Sequence, residues 1–181
     1  MNEDGRTIEQ ARAGDTGAFD GLVRKYQREI FFLALKMLKN EEDAEEVAQQ
    51  AFINAWNNLQ GFRGGAAFRT WLYRITMNLA TSHLRKKARR GGDTAELDHD
   101  RTEQENSPGP LDRLIRDEAA RHALAACDTL GHKQRSVVLL RIVHELSYRE
   151  ISEIVGCSEQ TAKVHFHYGV ENLRKRLKAN E

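Results

Sequence analysis

Apolar residues recur along this chain at steps of three and four, the spacing that gathers them on one face of an α-helix. Phe19, Leu22, Val23, Tyr26, Ile30, Leu33 and Met37 form one such row. After Lys39-Asn40 a second row begins: Ala44, Val47, Ala48, Ala51, Phe52, Ala55, Trp56 and Leu59. Asn40 is placed to cap that helix, and Glu41, Glu42 and Asp43 fall in its first turn, where the helix dipole favours anions. Adjacent glycines in "QGFRGG" then interrupt the pattern, since paired glycines disfavour helix. A third row, Phe68, Trp71, Leu72, Ile75 and Leu79, predicts a long helix over residues 67–90. Further on, residues 111–130 and 132–146 read as two amphipathic helices on either side of Gly131. Next comes "LSYREISEIVGCSEQTAKVHFHYGVENLRKRL". Ser147 is placed to cap a short helix with Tyr148, Ile151 and Ile154 inward, Gly156 supplies a left-handed turn, and Ser158 is placed to cap a last helix. Strand-like alternation is missing at any useful length, so the fold class is all-α.

Composition adds a division. Residues 1–90 carry 15 Lys/Arg against 11 Asp/Glu, residues 91–110 one against six, and residues 111–181 twelve against ten. The middle strip, "GGDTAELDHDRTEQENSPGP", is nearly devoid of apolar residues and holds both prolines. It lacks the apolar surface needed to offset its ordering entropy and reads as a flexible linker. The expected organisation is therefore a helical domain over 1–90, a linker over 91–110 and a second helical domain over 111–181 with a helix-turn-helix. No apolar run reaches the roughly 18–20 residues that span a bilayer, and the polar start "MNEDGRTIEQ" does not read as a signal peptide. Membrane insertion is not expected. Cys127 and Cys157 are too few and too far apart for a disulfide framework, which fits a reducing cytoplasm.

Three surfaces carry candidate chemistry. A helix-turn-helix presents the first turns of its second helix to base edges while neighbouring groups hold phosphates. Here those turns carry Ser158, Thr161, Lys163, Val164, His167 and Tyr168. Lys163 suits phosphate or guanine, Val164 a thymine methyl, and His167 either bases or phosphate. In the third helix Arg74, Asn78, Ser82, Arg85 and Arg89 step by three and four into a polar, basic row, which Lys86, Lys87 and Arg90 thicken. Such a row can follow a phosphate backbone, and the nearby rings of Phe62, Phe68, Trp71 and Tyr73 are candidates to stack on unpaired bases. For Trp71 the core is the better reading; Phe62, on a glycine loop without an evident helical neighbour, is open between core and stacking. The outward face of the second helix shows Asp43, Glu46, Gln49, Gln50, Asn54 and an exposed Ile53, a face suited to a basic partner helix or simply to solvent. Neither metal-ligand spacing nor a phosphate-binding loop nor a catalytic constellation appears, so no cofactor and no enzymatic activity are expected.

The stretches "DAEEVAQQAFINAW", "FRGGAAFRTWLYRITMNLATSHLRKKAR" and "LSYREISEIVGCSEQTAKV", in this order, resemble bacterial sigma-70 family sigma factors of the extracytoplasmic-function subgroup. The resemblance implies a transcription-initiation subunit that binds core RNA polymerase and directs it to promoter DNA. It implies that Asp43, Glu46, Gln49, Gln50 and Ile53 dock on the β′ clamp. Phe62, Arg63 and Asn78 sit where the family captures a flipped base of the −10 element, and Arg74, Arg85, Lys86 and Arg89 where it guides the melted strand. Ser158, Thr161, Lys163, Val164, His167 and Tyr168 fall where it reads the −35 duplex. Residues 137–142 would lie near the β flap, the linker would run toward the RNA exit path, and an anti-sigma factor is an implied partner. The sequence departs from the family's pattern at Gln50, where glutamate is common, at Ser82, at Gly131, and in a recognition helix that reads Val164-His165-Phe166-His167-Tyr168-Gly169 where serine and paired arginines are usual. Fewer cations there imply weaker phosphate affinity. The alternative reading is a stand-alone helix-turn-helix regulator with an N-terminal dimerisation or sensing domain.

Overall fold

The computed structural model describes residues 4–89 and 124–179. The acidic strip and most of the helix expected over 111–130 lie outside those residues; of that helix, 124–127 is helical. The chain divides into two compact units, Met1–Leu97 and Asp98–Glu181. Every described element is helical: α1 Gly5–Arg12, α2 Thr16–Leu38, α3 Glu41–Asn57, a 3₁₀ turn Leu59–Gly61 and α4 Phe68–Arg89 in the first unit, then α5 His132–Ile142, α6 Tyr148–Val155 and α7 Glu159–Ala179 in the second.

In the first unit α2 packs against α1, α3 and α4, and α3 packs against α4. The expected row of α2 is buried apart from Val23, and Phe32, Ala34 and Leu38 join it. Asn40 Oδ1 accepts from the Asp43 N–H at 2.8 Å, the cap expected of α3. Trp56, expected in the core, keeps 36% of its surface exposed and leans on Phe19 with ring centroids 4.9 Å apart. On α4 the buried face is rotated from the expected one. Phe68, Leu72, Tyr73, Thr76, Met77 and Ala80 are inside, while Trp71, Ile75 and Leu79 are half-buried.

Two carboxylate–tyrosine contacts explain that rotation and the presence of α1, which the polar N-terminal pattern does not announce. Tyr73, fully buried, donates to Glu29 of α2, and Arg69 Nε donates to the same carboxylate at 2.9 Å. A phenol with such a partner is better placed inside than the indole of Trp71. Asp4, buried just before α1, takes hydrogen bonds from the Lys25 ammonium at 2.7 Å and the Tyr26 hydroxyl, which fastens α1 to α2. Burial and the adjacent carboxylates push both tyrosines far above their ordinary range.

In the second unit α5 packs against α6 and α7, and α6 against α7. Ser147 and Glu150 form a reciprocal capping box at the start of α6. Gly156 ends α6 at φ 71°, and Ser158 Oγ accepts from the Thr161 N–H at 3.0 Å at the start of α7. Ile151, Ile154, Ala162, Val137 and Leu140 close the core. Arg135 binds the carbonyls of Cys127, Asp128 and Leu130, tying the preceding helix end to α5; burial lowers its pKa. Both cysteines are free; Cys127 is buried in a cluster with Leu130, Val138 and Leu173. Gly169, buried in the middle of α7, lets α5 come close: a β-carbon there would lie 2.6 Å from Val138 Cγ2.

Two outcomes follow. Gly169→Ala gains helix propensity of about 1 kcal/mol but overpacks against a stiff β-branched side chain at a cost of about 1–3 kcal/mol. A net loss of stability is expected in denaturant unfolding, and Val138→Ala in the same chain should be less than additive with it. For the tyrosines, a folded pKa above the unfolded one means that stability is complete below the ordinary tyrosine pKa and is lost as pH rises past it. Tyr73→Phe should therefore cost about 1–3 kcal/mol at neutral pH and make the alkaline decline measured by denaturant titration shallower than that of the parent.

Candidate nucleic-acid and protein interfaces

The polar row of α4 stands as expected on the outside. Arg74, Asn78, Ser82, Arg85, Lys86 and Arg89 are all exposed. The 22 residues of α4 contain no Asp or Glu, so the helix offers none of these cations a carboxylate partner of its own. Lys87, expected to thicken the row, instead points to α3 and binds Asp43 at 3.0 Å. Arg63 is exposed in the loop before α4, where Gly64 takes φ 71°.

Phe62 requires a correction. Its ring does find helical neighbours: it sits edge-on to Phe68 at 5.8 Å and 5.1 Å from Trp71, and is 7% exposed. Covered in this way, it presents no face for a base to stack on and serves to anchor the loop to α4. Tyr73 and Phe68, also candidates for stacking, are fully buried. Of the four rings considered, only Trp71 reaches the surface.

On α3, Glu46, Gln49, Gln50 and Ile53 are exposed, Ile53 by 45%, and Gln50 donates to Asn54 at 2.8 Å. Asp43 is again a correction. It is half-buried rather than part of the outward face, with Oδ1 3.2 Å from His83 Nε2 and Oδ2 3.0 Å from Lys87 Nζ. Sequence spacing gives no sign of this, because the partners lie on another helix, His83 40 residues along and Lys87 44.

On α7, Ser158, Thr161, Lys163, Val164, His167 and Tyr168 are all exposed, Val164 by 42% and Tyr168 by 53%. Exposed apolar groups on a polar face suit contact with a groove edge better than with water. Ser158 is occupied as a cap and shares a 2.7 Å hydrogen bond with Thr161 Oγ1. Lys163 pairs with Glu159 at 3.1 Å, and Lys175 with Glu171 at 3.0 Å, which lowers the Glu171 pKa. Two of the cations on this helix are thus partly neutralised. Tyr148, placed inward by the sequence pattern, is half-buried, with Arg141 at 5.0 Å and Lys163 at 5.8 Å from its ring centroid. It links the first helix of the motif to the second, a contact no helical spacing reveals. Among the described residues no cluster of His, Cys, Asp and Glu could hold a metal ion, and no helix is long and apolar enough to cross a membrane.

Known proteins place this arrangement. The family model described as Sigma-70 region 2 matches residues 22–90, and that described as Sigma-70, region 4 matches residues 123–173. The RNA polymerase sigma-H factor of Pseudomonas aeruginosa is 33% identical over 183 residues, covering 98% of this chain and 95% of the relative. The ECF RNA polymerase sigma factor SigW of Bacillus subtilis is 35% identical over 180 residues, covering 96% of each. Among solved structures, CnrH in complex with the cytosolic domain of CnrY shares the fold at TM-score 0.71 and 24% identity, covering 98% of this chain and 99% of that one. The sigma factor RpoE of Bartonella quintana, in complex with the anti-sigma factor NepR, does so at TM-score 0.72 and 22% identity, covering 90% and 98%. The chain belongs to the sigma-70 family of RNA polymerase sigma factors, in its ECF group.

Proposed function

We propose the following division of labour within a sigma factor that directs core RNA polymerase to promoters. The observation that carries it is the exposed basic row of α4, on a helix without a single carboxylate. A row of exposed cations with no acid on its own helix is costly to keep unless a polyanion meets it. Arg74, Arg85, Lys86 and Arg89 guide the opened −10 strand, with Asn78 and the loop at Arg63 nearest the captured base and Phe62 supporting that loop from below. The exposed face Glu46, Gln49, Gln50 and Ile53 meets the β′ clamp of the polymerase. In the second unit Thr161, Lys163, Val164, His167 and Tyr168 face the −35 duplex, Ser158 shapes the start of the helix that presents them, and the surface around exposed Ile142 faces the β flap.

The subunit performs no bond chemistry in this reading. Its contacts with the polymerase and with both promoter elements together offset the unstacking of the duplex, a few kcal/mol per step. It works in the cytoplasm, on the nucleoid once in holoenzyme, and an anti-sigma factor is its expected inhibitor. A stand-alone regulator would leave the basic face of α4 without a use.

The reading has two tests. Arg85→Ala with Arg89→Ala should lower open-complex formation, followed by permanganate footprinting, while leaving affinity for core polymerase unchanged; each lost phosphate contact should flatten the salt dependence by about one unit of slope. Loss of core binding, or tight duplex binding without polymerase in a gel shift, would overturn the assignment. On α7, Glu159→Gln should release Lys163 and raise holoenzyme affinity for −35 duplex a fewfold, with a steeper salt dependence, because exposed pairs of this kind hold only about 0–1 kcal/mol.

A further inference from the structure

We propose that Asp43 is a positioning residue that sets the rotation of α4 and so presents the basic row to the opened strand, and that it does not itself contact the polymerase. The proposal rests on the reading of α4 given above.

Both oxygens of Asp43 are engaged on α4, Oδ1 by His83 and Oδ2 by Lys87. His83 and Lys87 lie one turn apart and therefore on one face. Arg85 and Arg89 are each two residues from Lys87, about 200° around the helix, which places them on the far side. Holding Lys87 against α3 thus turns Arg85 and Arg89 outward, where both are exposed. The contact is sheltered: the side chains of Asp43, His83 and Lys87 are 21%, 24% and 32% exposed. It is also needed, because Arg85, Lys86, Lys87 and Arg89 crowd the last two turns, and Arg85 and Arg89 repel at i,i+4. With no acid in α4, the compensating charge comes from α3. Asp43 is itself fixed, since its N–H is capped by Asn40. The same carboxylate thus sits at the head of the helix whose exposed face we assign to the polymerase, so the start of α3 and the end of α4 are registered to one another.

The experiment uses full-length chain assembled with core polymerase and compares Asp43→Asn, Asp43→Lys, Lys87→Glu and the exchange Asp43→Lys/Lys87→Glu. Core affinity, permanganate reactivity of the −10 element and Tm are read for each. Single substitutions should lower −10 opening severalfold at unchanged core affinity, and the exchange should regain most of it, the coupling expected of contacting groups. Asp43→Asn, nearly isosteric, keeps the test valid where a charge reversal fails to fold. Reduced core affinity in Asp43→Asn, unrelieved by the exchange, would show a polymerase contact and overturn the proposal. So would a fall in Tm that lowers core affinity and opening together, or normal opening by every variant. Failure of the unsubstituted holoenzyme to open any promoter would instead sink the functional reading on which the proposal stands.

Discussion

A helix with no carboxylate of its own has to borrow its counter-charges, and the first unit is arranged around that loan. Near its start, α4 is held through Arg69 and Tyr73 on Glu29 of α2; near its end, through His83 and Lys87 on Asp43 of α3. Between these two fastenings Thr76, Met77 and Ala80 face inward and Arg74, Asn78 and Ser82 face outward, and the remaining exposed cations gather at the second fastening. Sheltered pairs of this kind are weak evidence for net stability, since desolvation consumes much of the attraction. What they supply here is orientation. Apolar contacts are non-directional, whereas carboxylates fixed on two different helices accept only one rotation of α4.

The second unit solves a different problem. Its recognition helix must be rigid yet expose Val164 and Tyr168, residues that would otherwise seek burial. Rigidity comes from the turn at Gly156, the caps at Ser147 and Ser158, and the close seating of Gly169 on Val138. These contacts lie at the two ends of α6, at the start of α7 or on its inward side, so they leave the outward side of α7 exposed.

How much of this was legible in the sequence depends on the range of the interaction. Asn40, Ser147, Gly156 and Ser158 act on backbone within four residues, and their chemistry reads directly from the residue type; each sits where the local pattern placed it. The apolar rows of α2 and α3 were equally plain, because burial follows the helical period. Phe62, Tyr73, Trp56 and Asp43 depart from the local pattern because each is decided by a partner outside its own helical period, across the glycine loop for Phe62 and on another helix for the other three. Tyr73 is drawn in by Glu29, Phe62 by Phe68 and Trp71, and Asp43 by His83 and Lys87, while Trp56 finds only Phe19 and stays half outside. Helix α1 was missed because Asp4, a buried charge, anchors it where an apolar row would normally be sought. The exposed residues of the candidate interfaces were legible as surface; their neutralising partners on α7 were not singled out, although Glu159 and Glu171 stand one turn before their lysines.

Those two pairings bear on how the protein shares a cell with a chromosome. A genome offers an enormous excess of wrong sites, and a strongly cationic reading helix would be sequestered by them. Pairing Lys163 with Glu159 and Lys175 with Glu171 lowers the sequence-independent attraction of α7 by a small amount, since exposed pairs hold only about 0–1 kcal/mol each and Arg174 and Arg176 stay exposed. The neutral front at Val164 and Tyr168 then adds contact area without adding charge that every phosphate would attract equally.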